Sequence, residues 1–354
     1  MSQIRFALEA GWKVSVVAKF LDPSLQDRVE WLRLTVPRRL FFVQWTTAHH
    51  FILKALGNRR FDVVHGHQPQ VADLCDIFTC HFLTRVAYER RCLESRTGLR
   101  SRLVRLQQQG VVYAEDRCYR RWNPRTRMMF CSEMMRREFS RLYSEPPLHE
   151  VHVNPCPAVR FATPEQRAIA RLALVGPEYK GMVVGYLGGV QKRKGYLRLI
   201  PAIARDENLF LLMAGPYSEG FSAPELRGRC HALGLIDDLE TFYAACDVLA
   251  VPSLFEPLGL VAFEAAVHGV PVIATDEVGA LSHLLDYGVG MRWQTDEPLG
   301  PVARELMSRS DAMRCGAARM ANEFSEHRHG DQLLAAYDRA LRSKPHAAAA
   351  SSVI

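Results

Sequence analysis

Short apolar runs of four to eight residues alternate with segments of helical period along most of this chain, and that alternation admits few folds. Lys13–Phe20, Phe61–His65, Asp76–Cys80 and Arg127–Ser132 read as buried strands in the first half. Met182–Leu187, Leu209–Ala214, Val248–Pro252 and Val270–Ala274 do so in the second. Helical patterns lie between them: Leu40–Leu56, Glu133–Tyr143, Tyr196–Ala204, Ala223–Leu233, Leu239–Ala245, Val261–Val267 and Ala280–Leu285, with two or three amphipathic helices over Pro298–Leu341. A continuous apolar strand followed by a helix is the pattern of a parallel sheet covered on both faces, so the fold class is α/β, doubly wound.

A chain of 354 residues makes two such domains the natural expectation. Periodicity fails around Ser144–Thr163, where Pro146, Pro147, Pro155, Pro157 and then Pro164 cluster as in a linker. The expected division is 1–155, 156–325, and a terminal helix with a frayed tail over 326–354.

The hydrophobic share of 48% and charged share of 23% suit an ordinary globular protein and exclude a disordered or fibrous one. No apolar run approaches the ~20 residues that cross a bilayer, and the N-terminus lacks the order of a secretory signal, so the expected location is cytoplasmic. Nine cysteines without CxxC spacing read as reduced structural thiols. The net charge of +7 comes partly from the arginine-rich Arg85–Arg127 stretch, read either as a solvated helical face or as a surface for an anionic membrane or phosphorylated acceptor. No nucleic-acid motif accompanies it.

Parallel sheets bind ligands beyond the carboxyl ends of their strands. After Val251 runs PSLFEPLGLVAFEAAVHGVPVIAT, in which Glu256 precedes a helix start and Glu264 lies about one turn in. The amides of Leu258, Gly259 and Leu260 at that start form an anion site suited to a pyrophosphate, and a carboxylate beside it suits sugar or ribose hydroxyls. A second post-strand loop, Gly185–Gly195 (GYLGGVQKRKG), holds Gly188, Gly189 and the cations Lys192, Arg193 and Lys194. A cation there neutralises charge on a departing diphosphate. In the first half, His65, His67 and His81 end consecutive strands. No Asp-x-Asp element and no metal-ligand spacing occurs.

The Glu256–Glu264 segment resembles the Glu-x(7)-Glu signature of the retaining glycosyltransferases of family 4, also called group 1, and the similarity extends over nearly the whole chain. The resemblance implies the GT-B fold, two Rossmann-like domains facing a cleft. It implies that Glu256 contacts the transferred sugar, Glu264 the donor ribose, Lys194 the diphosphate and His81 the reaction centre. Gly189 occupies the place of the family's arginine, for which Arg193 or Lys192 substitutes. The implied reaction moves a hexose, with retention and without a metal or other cofactor, from a nucleotide sugar such as a UDP-hexose or GDP-mannose. The expected acceptor is a cell-envelope glycolipid or polysaccharide of lipopolysaccharide type, met near His65, His67, Arg85, Arg90 and Arg91, with peripheral membrane contact through Arg85–Arg127. Against the family's pattern, an opening strand with its glycine-rich loop is missing, and about ten residues are missing before Val248. A non-catalytic partner subunit and a sugar-nucleotide epimerase are the alternative readings.

Overall fold

A computed structural model of the protein describes residues 2–36, 41–90, 99–344 and 352–353. The chain forms two compact units, one of Met1–Glu89, Ser95–Val153 and Glu326–Ile354, the other of Arg90–Glu94 and Asn154–Ser325. Both are built on parallel sheets.

In the first unit, Ser352–Val353, Lys13–Ala18 and Glu30–Arg33 form one three-stranded sheet in that order. His65–Gly66, Ile77–Cys80, Arg127–Phe130 and His149–Val151 form another of four strands. Ile77–Cys80 is buried at every residue, as a central parallel strand must be. The helix Glu133–Tyr143 lies where its period put it; the Ser132 side chain caps it from the Met135 amide at 3.2 Å, and Glu133 complements the dipole in its first turn. Leu333, Ala336, Tyr337 and Ala340 line one face of helix Glu326–Arg342 and pack on Ala7, Val63, Ile77 and Met129. The segment set apart in the sequence as a terminal helix is thus part of the first unit.

The second unit holds a six-stranded sheet in the order Gly290–Arg292, Val272–Ala274, Val248–Val251, Met182–Leu187, Leu209–Ala214, Cys230–Ala232. Its first strand in sequence, Met182–Leu187, is central. The chain winds outward on one side through Leu209–Ala214, then returns and winds outward on the other from Val248–Val251. Winding therefore reverses between Met182–Leu187 and Val248–Val251, paired through Val248↔Val184 and Leu249↔Gly185. A crevice opens at such a reversal, beyond the strand ends.

Several expectations need correction. Ala223–Leu233 is not a helix: a 3-10 turn at Pro224–Leu226 is followed by Arg227 and Gly228 at φ 49° and 83° and then by the strand Cys230–Ala232. Two successive left-handed residues end any right-handed helix. The proline-rich stretch contains the strand His149–Val151, and a capping box at Thr163 and Gln166 starts the helix Pro164–Leu174 directly after it. The strand sought at Phe61–His65 is His65–Gly66. Glu30–Arg33 and Gly290–Arg292 are strands that the periodicity did not show. Of the terminal residues 346–354 expected to fray, only Ser352–Val353 lie within the described residues, and these pair with Lys13–Val14. Among the described residues, no helix is long and apolar enough to cross a membrane.

Candidate functional site

The two loops at the reversal carry the candidate side chains. After Met182–Leu187 the chain turns at Gly189 (φ 63°), makes a 3-10 turn at Lys192–Lys194 and enters helix Tyr196–Ala204 through Gly195 (φ 76°). A Cβ on Gly189 would fall 1.9 Å from the Pro216 carbonyl oxygen, and one on Gly195 would fall 1.9 Å from that of Pro252. Neither place admits a side chain. The position that the family pattern gives to arginine is therefore closed by the Pro216 backbone. The amides of Gly188 and Gly189 both donate to Ala214 O at 3.0 Å, so this pair supplies close approach and not free donors.

The loop after Val248–Val251 meets that turn directly. Leu254 N donates to Arg193 O at 2.8 Å, while Arg198 donates to the carbonyls of Pro252 and Ser253 at 3.2 Å each. Glu256 is fixed on both sides of its backbone: its amide donates to Glu277 O at 2.8 Å, and its carbonyl accepts from Gly279 N at 2.9 Å. Its carboxylate, with 12% of the side chain exposed, lies between two cations: Lys194 Nζ and Arg193 Nη1 stand 2.7 and 2.9 Å from the same oxygen, Oε2. Arg193 also donates to Phe255 O at 2.9 Å. Arg193 thus joins Lys194 as a cation of the turn that reaches Glu256, and Lys192 is half-buried in the same turn.

The same carboxylate borders a helix start. Gly259, at φ 94°, leads into helix Leu260–Val267 with no side-chain cap, and a Cβ placed on it would stand 3.2 Å from Glu256 Cγ. Uncapped amides at a helix N-terminus carry partial positive charge. Leu258 is buried and anchors the loop through its carbonyl to Ala280 N at 2.7 Å, while Leu260 is exposed. Glu264 is half-buried about one turn into the helix, its Oε2 accepting from Tyr243 OH at 3.2 Å. Burial, and then the Glu264 carboxylate, hold the Tyr243 phenol well above its ordinary range. Arg90, grouped with this unit, places its guanidinium 5.4 Å from the Phe255 ring centroid. Arg91 lies outside the described residues.

The sequence reading missed Arg198 and Glu277, which fix the Glu256 loop through backbone contacts, and Tyr243, which fixes Glu264. Only Arg198 left a signal, three residues after the glycine of the KRKG turn.

The first unit sorts its three candidate histidines. His65 is buried, with both ring nitrogens taken by Tyr337 OH at 2.9 Å and Thr79 Oγ1 at 2.8 Å, and burial drives its pKa well below the usual imidazole range. It is a tie between the sheet and the helix Glu326–Arg342 and not the acceptor-side group that its strand-end place suggested. His67 and His81 are exposed and stacked, with Nδ1 of the first 3.0 Å from Nε2 of the second. Burial of part of its ring lowers the His81 pKa. Arg85 is engaged by Glu89 at 3.1 Å and Asp116 at 3.4 Å.

Known proteins resemble this chain in sequence and in fold. Residues 176–294, which contain both loops and both glutamates, match the model of the family described as Glycosyl transferases group 1. The fold is that of the GT-B glycosyltransferases: the crystal structure of WaaG, a glycosyltransferase involved in lipopolysaccharide biosynthesis, matches with a TM-score of 0.68 at 19% identity, over 96% of this chain and 93% of that one. Anabaena Alr3699/HepE in complex with UDP-glucose matches with a TM-score of 0.54 at 19% identity, over 77% and 80%. In sequence, D-inositol 3-phosphate glycosyltransferase of Mycobacterium sp. (strain KMS) is 33% identical over 242 residues, 62% of this chain and 55% of that protein. The chain spans about half the length of the curated relatives of this kind that head the comparison.

Proposed function

We propose that this protein is a glycosyltransferase that takes a hexose from a nucleotide diphosphate sugar bound at the winding reversal of the second unit. The observation that carries the reading is the Lys194–Glu256–Arg193 cluster beside the uncapped helix start at Gly259. Without ligand, the two cations are neutralised by one carboxylate. A diphosphate brings its own negative charge to the cations and to the helix amides. Glu256 is then released from its ion pairs and accepts hydrogen bonds from the hydroxyls of the sugar, while Glu264 holds the ribose. Cations placed on the leaving diphosphate are worth most as charge develops there. Transfer proceeds with retention and without a resident metal or other cofactor, and His81 serves the transfer step and not the binding of the donor.

Two relatives bear on the acceptor. WaaG acts in lipopolysaccharide biosynthesis, and the mycobacterial relative is named for D-inositol 3-phosphate. Both names speak of a phosphate-bearing or envelope acceptor, and we propose an anionic glycolipid or polysaccharide precursor of the cell envelope, with the basic 85–127 region facing the membrane.

A panel of radiolabelled donors that includes UDP-glucose and GDP-mannose tests the reading, with thermal stabilisation measured in parallel. Native protein is expected to be stabilised by one donor and to transfer its sugar to an envelope-lipid extract. Glu256→Ala is expected to abolish transfer, and His81→Ala to reduce it while donor stabilisation persists. Stabilisation by a donor without transfer to any acceptor would assign the chain to a non-catalytic relative. Conversion of the donor without an acceptor would assign it to an epimerase.

A further inference from the structure

Two rungs of polar side chains cross between the neighbouring strands His65–Gly66 and Ile77–Cys80 of the first unit. The strands run parallel, with His65 opposite Ile77 and Gly66 opposite Phe78. Side chains two residues apart share a face of an extended chain, so His65 and His67 stand side by side, as do Thr79 and His81. The inner rung joins His65 Nε2 to Thr79 Oγ1 at 2.8 Å, and the outer rung joins His67 Nδ1 to His81 Nε2 at 3.0 Å. Ring centroids of His65 and His67 are 4.3 Å apart, so a fixed inner ring backs the outer one.

Hydrogen bonding settles where the inner protons lie. The Thr79 hydroxyl donates to Met129 Sδ at 3.7 Å, so it accepts from His65 Nε2–H, and His65 Nδ1 accepts from the Tyr337 hydroxyl at 2.9 Å. In the outer rung a single proton lies between two nitrogens. Partial burial of both rings, and for His67 then the neighbouring imidazole, lower both pKa values, so both rings are neutral at pH 7.

Two arrangements satisfy that contact. In the first, His81 Nε2–H donates to His67 Nδ1 and each ring carries its proton on Nε2. In the second, His67 Nδ1–H donates to His81 Nε2 and each ring carries it on Nδ1. A free neutral histidine side chain favours the Nε2–H form, so the first arrangement leaves both rings in their preferred tautomer. It also leaves His81 Nδ1 as a bare lone pair, without a hydrogen-bond partner among the described residues.

We propose that His67 is a positioning residue for His81, holding the His81 proton on Nε2 and so presenting Nδ1 as an acceptor for a hydroxyl of the bound carbohydrate. The inference rests on the part in transfer given to His81 above. The state of one imidazole nitrogen is set by what the other bonds. Without His67, the His81 ring turns and exchanges tautomers, and Nδ1 carries a proton for part of the time.

Nitrogen-15 NMR of protein labelled at its histidines reads the tautomer without any turnover. At pH 7.5 His81 is expected to show a protonated Nε2 and an unprotonated Nδ1, its signals being assigned by their loss in His81→Gln. His67→Ala should leave His81 exchanging between its two tautomers. His67→Asn should restore the native pattern, because the amide oxygen takes the place of the accepting Nδ1. In transfer assays His67→Ala is expected to lower kcat by about fivefold, the worth of one neutral hydrogen bond, with the KM for donor unchanged and with His67→Asn recovering most of the loss. Both changes are at an exposed residue, and unchanged melting temperatures will show that the variants are folded. The native spectrum alone overturns the proposal if His81 carries its proton on Nδ1, and so does a kcat for His67→Ala equal to that of native protein. The expected tautomer in a protein that transfers no sugar counts against the transferase reading, while the hold of His67 on His81 stands.

Discussion

Gly195 sets the turn that carries two cations of the candidate site. Its φ of 76° turns the KRKG segment so that Arg193 and Lys194 reach Glu256, and the Pro252 carbonyl fills the place of a side chain at 1.9 Å. Gly195→Ala combines left-handed strain of about 1–2 kcal/mol with a backbone collision that must displace the 252–256 loop. Gly220→Ala is the control, because φ there is 69° but nothing lies within 4 Å of an added Cβ. Urea denaturation is expected to show a loss of about 1 kcal/mol for Gly220→Ala and clearly more for Gly195→Ala. Only Gly195→Ala should also lose donor stabilisation; equal losses for the two variants would mean that the contact with Pro252 constrains nothing. At this scale the sequence was partly legible. Glu256, Glu264, Lys194 and Arg193 sat in recognisable motifs, whereas Glu277 acts through its carbonyl, which no residue pattern encodes, and Arg198 left only its place after the KRKG turn.

Elements with a long apolar run were legible to the residue: Met182–Leu187 and Leu209–Ala214 are strands over those same bounds. Gly290–Arg292 and His149–Val151 were not, because three residues without an apolar run show no period, unlike Val272–Ala274, and are held by their neighbours in the sheet. Just beyond the second of these, His152 joins sheet to helix. Its ring stacks on that of His329 with centroids 4.0 Å apart, its Nε2 lies 3.2 Å from His329 O, and His329 Nδ1 lies 3.0 Å from Val153 O. Burial pushes His152 down to about 4 and lowers His329 as well. Between the unfolded value near 6.5 and about 4, the unfolded chain binds more protons than the folded one, so stability falls as pH falls through that window. For His152 alone the loss is on the order of 3 kcal/mol by pH 4. Urea midpoints measured from pH 7.5 to pH 4 are expected to drop steadily below about pH 6.5. Replacing His152 with glutamine should lower stability at pH 7.5 but flatten the drop; an unchanged slope would show that the pair does not titrate on unfolding.

The chain leaves its first unit at Val153, builds the second through Ser325, and returns to the first with Glu326–Arg342. This arrangement makes the two units unequal under truncation. The core of the second, from Val184 and Leu211 to Trp293 and Leu306, is contributed wholly from within 154–325. The first needs Leu333, Ala336, Tyr337 and Ala340 to cover Ala7, Val63, Ile77 and Met129. Removing a buried leucine and a buried tyrosine forfeits about 1.5–3 kcal/mol each in transfer free energy alone, a large part of a typical domain stability of about 5–15 kcal/mol. His65 would also lose its Tyr337 hydroxyl and keep a buried ring nitrogen without a partner, costing about 1–3 kcal/mol more. A fragment of 154–325 is therefore expected to melt cooperatively and, if the donor reading is right, to be stabilised by the same nucleotide sugar as the full chain. A fragment of 1–325 should keep that donor response, yet bind a hydrophobic dye and lose its N-terminal half to limited proteolysis. Protection of residues 1–153 in that fragment equal to that in the full chain would show that the terminal helix only decorates the first unit.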